Sequence, residues 1–222
     1  MSNIQQVMPN YLSGYKGEGI NIPVTEVTLP YLSLGQSTHK AVKESLVKYG
    51  EIYNSVTKKS FGVETDIVVV DFRIDWKEFD KSGQLLRTSS DGKTWSNGAA
   101  FTEEDSWKHK FYNYFVLIVK DESTVPYILS FAHTSAKTGK QLLNIIAQTT
   151  NLKGMPPFVM TYKLGVKKET SDGNEYMVWT IKQNDGWTDE VTCKKATEMK
   201  NFLAKNKVKT DDAPAAAEKD PF

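Results

Sequence analysis

The stretch 66–76, Asp-Ile-Val-Val-Val-Asp-Phe-Arg-Ile-Asp-Trp, carries the clearest structural signal in the chain. Its first half is a run of β-branched residues, and its second half alternates, with Phe72, Ile74 and Trp76 separated by charged residues. Such residues favour strands, and a period of two is typical of a strand with one buried face. We therefore predict a long central strand that is buried at its start and half-buried towards its end.

Five further segments have the composition of strands and are bounded by polar or glycine-containing turns. They are residues 22–34, 111–119, 125–132, 158–168 and 175–183. The last two are joined by Ser171-Asp172-Gly173-Asn174, whose Asp-Gly pair is typical of a tight hairpin. The chain is therefore predicted to be rich in β structure.

Two segments have the apolar stripe of an amphipathic helix packed on a core. The first is capped by Thr134 or Ser135 and ends near Thr149, and the second covers about residues 189–205. A helix that follows several strands and precedes a hairpin is typical of the oligonucleotide-binding (OB) fold. We predict a β-rich α+β fold: an OB-like five-stranded barrel with a helix before the last hairpin, extra strands and a C-terminal helix.

Charge is distributed unevenly along the chain. Residues 211–222 carry four acidic side chains and one lysine, so this segment has a charge of −3 and the rest of the chain +4. A segment of this composition cannot bury enough apolar surface to order itself. We predict a flexible N-terminal segment at 1–20, an OB-like domain at 21–205 and a disordered acidic tail at 206–222.

The sequence argues against several classes of protein. No apolar run approaches the roughly 18–20 residues of a membrane-spanning helix, and the first residues lack the pattern of a signal peptide. The single cysteine, Cys193, excludes an intrachain disulfide and a thiolate zinc cluster. His39, His109 and His133 are isolated, and no phosphate-binding loop or dinucleotide fingerprint occurs. We expect a cytoplasmic protein that is not an enzyme and binds no metal or cofactor.

Aromatic residues recur beside basic ones along the chain. Proteins bind single-stranded nucleic acid with this combination, because bases stack on rings at roughly 1–3 kcal/mol each while cations follow the phosphates. Since every base has a π-face, such binding has little sequence preference. The predicted residues for binding single-stranded DNA (ssDNA) are Tyr53, Lys58, Lys59, Phe61, Trp76, Lys77, Arg87, Lys93, Trp95, Trp107, Lys108, Lys110, Tyr112, Tyr162, Lys163 and Lys167.

Together these features resemble the single-stranded DNA-binding proteins of replication, particularly those encoded by bacteriophages. The most specific part is the acidic, Ala/Pro-containing tail with the sequence Glu218-Lys219-Asp220-Pro221-Phe222 at its end, which is similar to the C-terminal tips of bacterial and phage members. Lys219 departs from the commonest pattern of that tip. The rest of the chain is similar in style only, as a barrel with interleaved rings and cations.

The resemblance implies two roles. The barrel would coat and protect ssDNA during phage DNA replication, recombination or repair in the host cytoplasm. The tip residues Asp220, Pro221 and Phe222 would recruit replication or recombination proteins, and the acidic tail would compete with DNA for the basic groove.

Two other functions stay open at this point. Aromatic residues also form protein interfaces, as in a structural or interaction protein of a virus, and OB-fold proteins also bind RNA or duplexes. A body charge of +4 is modest for a nucleic-acid binder, although a cleft needs only local positive charge. Assembly into a homo-oligomer is open as well.

Overall fold

The computed structural model describes residues 29–121, 126–150, 153–171 and 173–205. The predicted flexible segment 1–20 and the predicted acidic tail 206–222 lie outside the described residues, as do the tip residues Asp220, Pro221 and Phe222. What the sequence predicts for these segments stays a prediction.

Within the described residues, nine strands and four α-helices follow one another. The strands are β1 (Leu32–Leu34), β2 (Ile52–Asn54), β3 (Ser60–Gly62), β4 (Glu64–Phe79), β5 (Leu85–Ser89), β6 (Lys110–Ile118), β7 (Tyr127–Ala132), β8 (Met160–Ser171) and β9 (Asn174–Trp187). The helices are α1 (Lys40–Lys43), α2 (Glu103–Lys108), α3 (Ala136–Thr149) and α4 (Glu190–Lys205). The predicted β-rich α+β class is confirmed, and every strand predicted between residues 66 and 183 overlaps an observed strand.

The larger sheet is built around β4. Antiparallel pairing gives the strand order β7-β6-β4-β8-β9, and β5 pairs with the far end of β4. Along its 16 residues, β4 pairs with β8 at Glu64–Ile67, with β6 at Ile67–Trp76 and with β5 at Trp76–Phe79. The register shifts between Val69 and Asp71, and such a bulge bends a strand and increases its twist. β4 therefore curves along its length as its pairing passes from β8 to β6 and then to β5.

The apolar run in the first half of β4 is buried on both faces. Ile67 and Val69 belong to the core cluster that α3 covers, and Val68 and Val70 belong to the cluster that α4 covers. A strand covered on both sides has no solvent face, which explains why its sequence does not alternate there. The two helices thus sandwich this part of the sheet.

The edge strands β7 and β9 are not joined to each other by backbone pairing in the described part of the chain. We name the line where they face each other the seam. The smaller sheet, in the order β1-β2-β3, lies along it, attached to β7 by a 2.9 Å hydrogen bond from the Ile128 N–H to the Pro30 carbonyl. The sheets are open along the seam, and the observed pairings do not close a five-stranded barrel.

Polar side chains satisfy the open edge of β9. The Gln36 amide donates to the Met177 carbonyl at 2.7 Å and accepts from the Met177 N–H at 3.0 Å. These are the two bonds that a residue of a neighbouring strand would make. From α3, the Thr138 hydroxyl donates to the Trp179 carbonyl at 3.2 Å. An unpaired edge can pair with other chains, so these side chains take the place of a strand.

Gly139, in α3, sets how closely this helix approaches the sheet. A Cβ at this position would lie 2.8 Å from the Cβ of Phe131 and 3.0 Å from that of Tyr112. Although alanine is the better helix former, we expect Gly139→Ala to lower the free energy of unfolding by about 1–3 kcal/mol, because overpacking shifts the helix. Urea denaturation followed by circular dichroism measures the change.

Lys140→Ala is the matched control, since Lys140 is exposed on the same helix. We expect it to change the free energy of unfolding by less than about 0.5 kcal/mol. A Gly139→Ala variant as stable as the wild type would show that the helix is not held against the sheet at this point.

Candidate functional site

A groove of about 640 Å³ follows the seam. Its walls are formed by stretches within residues 31–41, 53–58, 79–83, 130–135 and 175–179, together with Phe111. These stretches come from the smaller sheet, the β4–β5 turn, the connection from β7 to α3 and the start of β9. A concave site of this size is in the range that proteins use for ligands.

Aromatic side chains line the groove on both sides of the seam. They are Tyr31, Tyr53, Phe79, Phe111, Tyr176 and Trp179. Phe79 and Phe111 pack with their ring centroids 6.1 Å apart, and the His133 ring lies edge-on to Phe111 at 5.8 Å. Tyr31, Tyr53, Phe111 and Trp179 are each at most 9% exposed, whereas Phe79 and Tyr176 are half-buried. Phe79 and Tyr176 therefore offer the ring surface on which a further planar group can stack.

Three lysines, Lys40, Lys58 and Lys81, line the same groove. Lys81 is exposed in the β4–β5 turn, and Lys40 is exposed at the start of α1, 3.6 Å from Glu44. The Lys58 ammonium lies 5.8 Å from the centroid of the Tyr53 ring. Cations thus stand beside the rings along the groove.

The two acidic residues of the groove, Asp80 and Glu175, are engaged within the protein. Asp80 accepts hydrogen bonds from the hydroxyl and backbone N–H of Ser82, and the bond from the hydroxyl is the main cause of its lowered pKa. Glu175 pairs with Lys168 at 2.5 Å. Both carboxylates are therefore already compensated by protein groups.

The predicted residues between positions 53 and 61 lie in two different parts of the structure. Tyr53 and Lys58 line the groove, whereas the Lys59 ammonium pairs with Asp121 at 2.7 Å. Phe61 packs edge-on to Tyr127 with centroids 5.6 Å apart and lies beneath the Lys59 ammonium. Adjacent residues of one motif therefore serve two different parts of the molecule.

Trp76, Lys110 and Tyr112 are brought together across the β4–β6 pair. The Lys110 ammonium lies 5.8 Å from the Trp76 ring centroid and 5.2 Å from that of Tyr112. Lys77 is buried, with its ammonium 5.9 Å from the Phe111 ring centroid. These residues stabilise the sheet, and none of them lines the groove.

Arg87 and Trp95 form the core of the insertion between β4 and β6. Trp95 is 1% exposed, its indole N–H donates to Asp105 at 3.2 Å, and the Arg87 guanidinium stacks 4.3 Å above its ring. No strand or helix is predicted from sequence between residues 77 and 110, so β5 and α2 are missed. Trp95 is therefore the anchor of a small folded unit rather than an accessible ring.

Lys93, Trp107 and Lys108 are exposed on the same insertion. The Trp107 side chain is 69% exposed on α2, and Lys108 pairs with Glu104 at 3.3 Å. The structure therefore presents these predicted residues to solvent, away from the walls of the groove.

Tyr162, Lys163 and Lys167 lie on β8 outside the groove. Tyr162 is fully buried, which raises the pKa of its hydroxyl to about 12. Lys163 pairs with Glu64 at 2.9 Å, and Lys167 pairs with Glu169 at 2.5 Å. The Tyr162 ring is part of the core, and both lysines form ion pairs with carboxylates.

Several groove residues are absent from the set predicted from sequence. They are Lys40, Phe79, Lys81, Phe111, His133, Tyr176 and Trp179. Phe79 and Lys81 offered a signal, since a ring and a lysine stand together where the strongest strand ends. The others lie far apart in the sequence and come together only through the tertiary fold.

In the described part of the chain, no group of three His, Cys, Asp or Glu side chains could hold a metal ion, and no helix has the length and apolar character of a membrane span. Burial raises the pKa of the Cys193 thiol, which keeps it protonated at neutral pH.

A family model described as Pam3 phage gp34-like protein matches residues 3–209. The chain belongs to this phage protein family. No curated protein and no solved structure matches it. The family match covers the whole groove and the insertion.

The Asp105 carboxylate makes the stability of the insertion dependent on pH. The carboxylate accepts a hydrogen bond from the Thr102 backbone N–H at 2.8 Å and another from the Trp95 indole N–H. The bond from Thr102 is the main cause of its lowered pKa. A carboxylate whose pKa is lowered by folding stabilises the fold above its unfolded pKa of about 3.9, and this contribution is lost as the pH falls through the folded pKa. We expect Asp105→Asn to be less stable than the wild type at pH 7, with a difference that narrows below pH 4.

Urea denaturation at pH 7 and at acidic pH, followed by tryptophan fluorescence, measures this difference. Glu103→Gln, at an exposed position of the same helical turn, is the control and should stay close to wild type at both pH values. A pH-independent deficit of Asp105→Asn would mean that its charge does not hold the insertion together.

Proposed function

We propose that this chain is a single-stranded DNA-binding protein that coats ssDNA, with little sequence preference, during phage DNA replication, recombination or repair. The observation that carries the proposal is the groove along the seam, in which aromatic rings and lysines stand side by side. A ligand with alternating planar bases and negative phosphates matches both features at once.

The strand order supports an OB-like arrangement. When β4, β6, β7, β8 and β9 are numbered one to five, the sheet reads 3-2-1-4-5, with α3 between strands three and four. OB folds are partly open barrels that bind oligonucleotides on the face of strands two and three and with the loops between strands one and two and between four and five. The seam is the unpaired three-to-five junction of this scheme.

The groove lies in the corresponding position. Strands two and three contribute Phe111, Ser130 and Ala132, the end of strand one and the turn after it contribute 79–83, and the start of strand five contributes 175–179. These are the parts of an OB fold from which ligand contacts come. The agreement between topology and surface chemistry favours ssDNA over a protein ligand.

The small net charge of the chain is compatible with this function. The groove combines three lysines with carboxylates that are already engaged within the protein, so positive potential is local. Electrostatic attraction in a cleft depends on the charges that line it rather than on the total. Binding would therefore be of moderate strength and sensitive to salt.

Salt dependence tests the groove directly. Full-length protein is titrated with labelled oligo-dT at several salt concentrations, and fluorescence anisotropy gives the affinity. Each phosphate that a lysine neutralises contributes about −0.7 to the slope of log K against log salt. We expect the double variant Lys40→Gln/Lys81→Gln to bind more weakly, with a slope shallower by about 1.4.

The double variant Lys194→Gln/Lys200→Gln makes the same charge change on exposed positions of α4, outside the groove, and should keep the wild-type slope. Equal effects of both double variants would mean that the groove is not the site. Stronger competition by oligo-rU than by unlabelled oligo-dT would identify an RNA-binding protein instead. Absence of any salt-dependent binding would favour a structural or interaction protein.

Residues 206–222 lie outside the described residues, and for them we propose recruitment of replication or recombination proteins through Asp220, Pro221 and Phe222. Removal of residues 211–222 takes away a charge of −3, so we expect unchanged or higher affinity for oligo-dT, together with loss of partner binding. Anisotropy on the truncated chain measures the first effect, and a large fall in DNA affinity would contradict this division of roles.

A further inference from the structure

Three non-glycine residues among those described have a backbone φ in the left-handed region. They are Ser45 at 58°, Lys58 at 60° and His133 at 47°. This conformation costs free energy for any residue with a Cβ, and glycine adopts it without that cost. Lys58 and His133 line the groove, whereas Ser45 does not. Backbone strain of this kind often accumulates at binding sites.

The turn that holds Lys58 is bonded through Asn54 and through the Lys58 side chain. Asn54 accepts from the backbone N–H groups of Val56 at 2.8 Å and Thr57 at 3.0 Å, and the Lys58 N–H donates to the Asn54 carbonyl at 2.9 Å. The Lys58 ammonium donates to the Ser55 carbonyl. A glycine in place of Lys58 would keep the three bonds to Asn54 and remove the strain, but it would lose the bond to Ser55. An ammonium has three N–H donors, so the bond to Ser55 leaves two of them for a group in the groove.

His133 lies in a short turn between β7 and α3. The Ser135 hydroxyl accepts from the Ala132 N–H at 3.0 Å and donates to the Ala132 carbonyl at 2.8 Å, which fixes the turn. The His133 side chain is exposed at the groove, edge-on to the Phe111 ring. Its ring lies where a further planar group can stack.

We propose that Lys58 and His133 contact ssDNA directly: a base stacks on the His133 ring, and the Lys58 ammonium neutralises a phosphate. This inference rests on the function proposed above and assigns two of its contacts. Both side chains line the groove, one from the turn between β2 and β3 and one from the β7–α3 connection. At His133 the strained backbone is retained because the ring is needed where it is.

Glycine substitutions separate binding from folding. We expect His133→Gly and Ser45→Gly each to unfold at the wild-type temperature or up to about 4 °C above it, since about 1 kcal/mol shifts Tm by 2–4 °C in a chain of this size. Lys58→Gly relieves strain but loses the bond from its ammonium to the Ser55 carbonyl, so its unfolding temperature should stay within about 4 °C of the wild type. Stacking energies predict that His133→Gly binds oligo-dT at least about fivefold more weakly. Lys58→Gly should make the salt slope shallower by about 0.7, and Ser45→Gly should bind as the wild type does.

Side chains that restore the proposed chemistry provide the second arm. His133→Phe retains a flat ring and Lys58→Arg retains the charge, so both should bind within about twofold of the wild type. A His133→Phe variant as weak as His133→Gly would overturn the stacking role, and an Arg variant as weak as Lys58→Gly would overturn the role of the charge.

Failure of this inference can be told from failure of the proposed function. If wild-type protein binds oligo-dT and the glycine variants at 58 and 133 bind equally well, the two contacts are wrong and the function stands. If wild-type protein does not bind oligo-dT at all, the function itself is wrong. A lower unfolding temperature for His133→Gly would overturn the inference at that residue, because the side chain would then be holding the fold.

Discussion

The architecture depends on one strand that serves three partners in succession. β4 pairs with β8 at its start, with β6 along its middle and with β5 at its end, and the bulge at Val69–Asp71 gives it the curvature that this requires. Because each end of the strand has a different neighbour, the sheet coils rather than lying flat. The coiling brings the outer strands β7 and β9 towards each other without direct pairing, with the Phe131 and Trp179 rings 6.2 Å apart.

The unpaired line between those strands is the source of the site. A closed barrel would use the edges of β7 and β9 to complete its hydrogen bonds, whereas this chain covers them with the smaller sheet and with side chains of α3. The remaining space collects rings from β6 and β9 and lysines from α1 and from two turns. Strain in two of the connecting turns is concentrated at the same place. The unpaired edges of β7 and β9 thus determine both the open form of the sheet and the position of the candidate site.

The elements of the fold could largely be predicted from sequence because their signals are local. The apolar run at 66–70, the Asp-Gly turn at 172–173 and the stripe of α3 each indicate one element without reference to the rest. β5 and α2 could not be predicted, since they are short and polar and their order depends on the buried contact between Trp95 and Asp105. Tyr53 and Lys58 are the predicted residues that line the groove. Its other rings depend on register and on the bulge, which decide the face of each side chain.

The hydrogen bonds between Gln36 and Met177 make the edge of β9 sensitive to deamidation of Gln36. A carboxamide imitates a peptide group, with one donor and one acceptor aimed at the backbone of β9. Conversion of this side chain to a carboxylate would exchange its donor for a second acceptor, which would face the Met177 carbonyl with like polarity. The carboxylate at position 36 would then repel the Met177 carbonyl, and the edge of β9 would lose this side-chain partner. Hydrolysis of one amide would turn a protected edge into one that invites strand pairing with other copies.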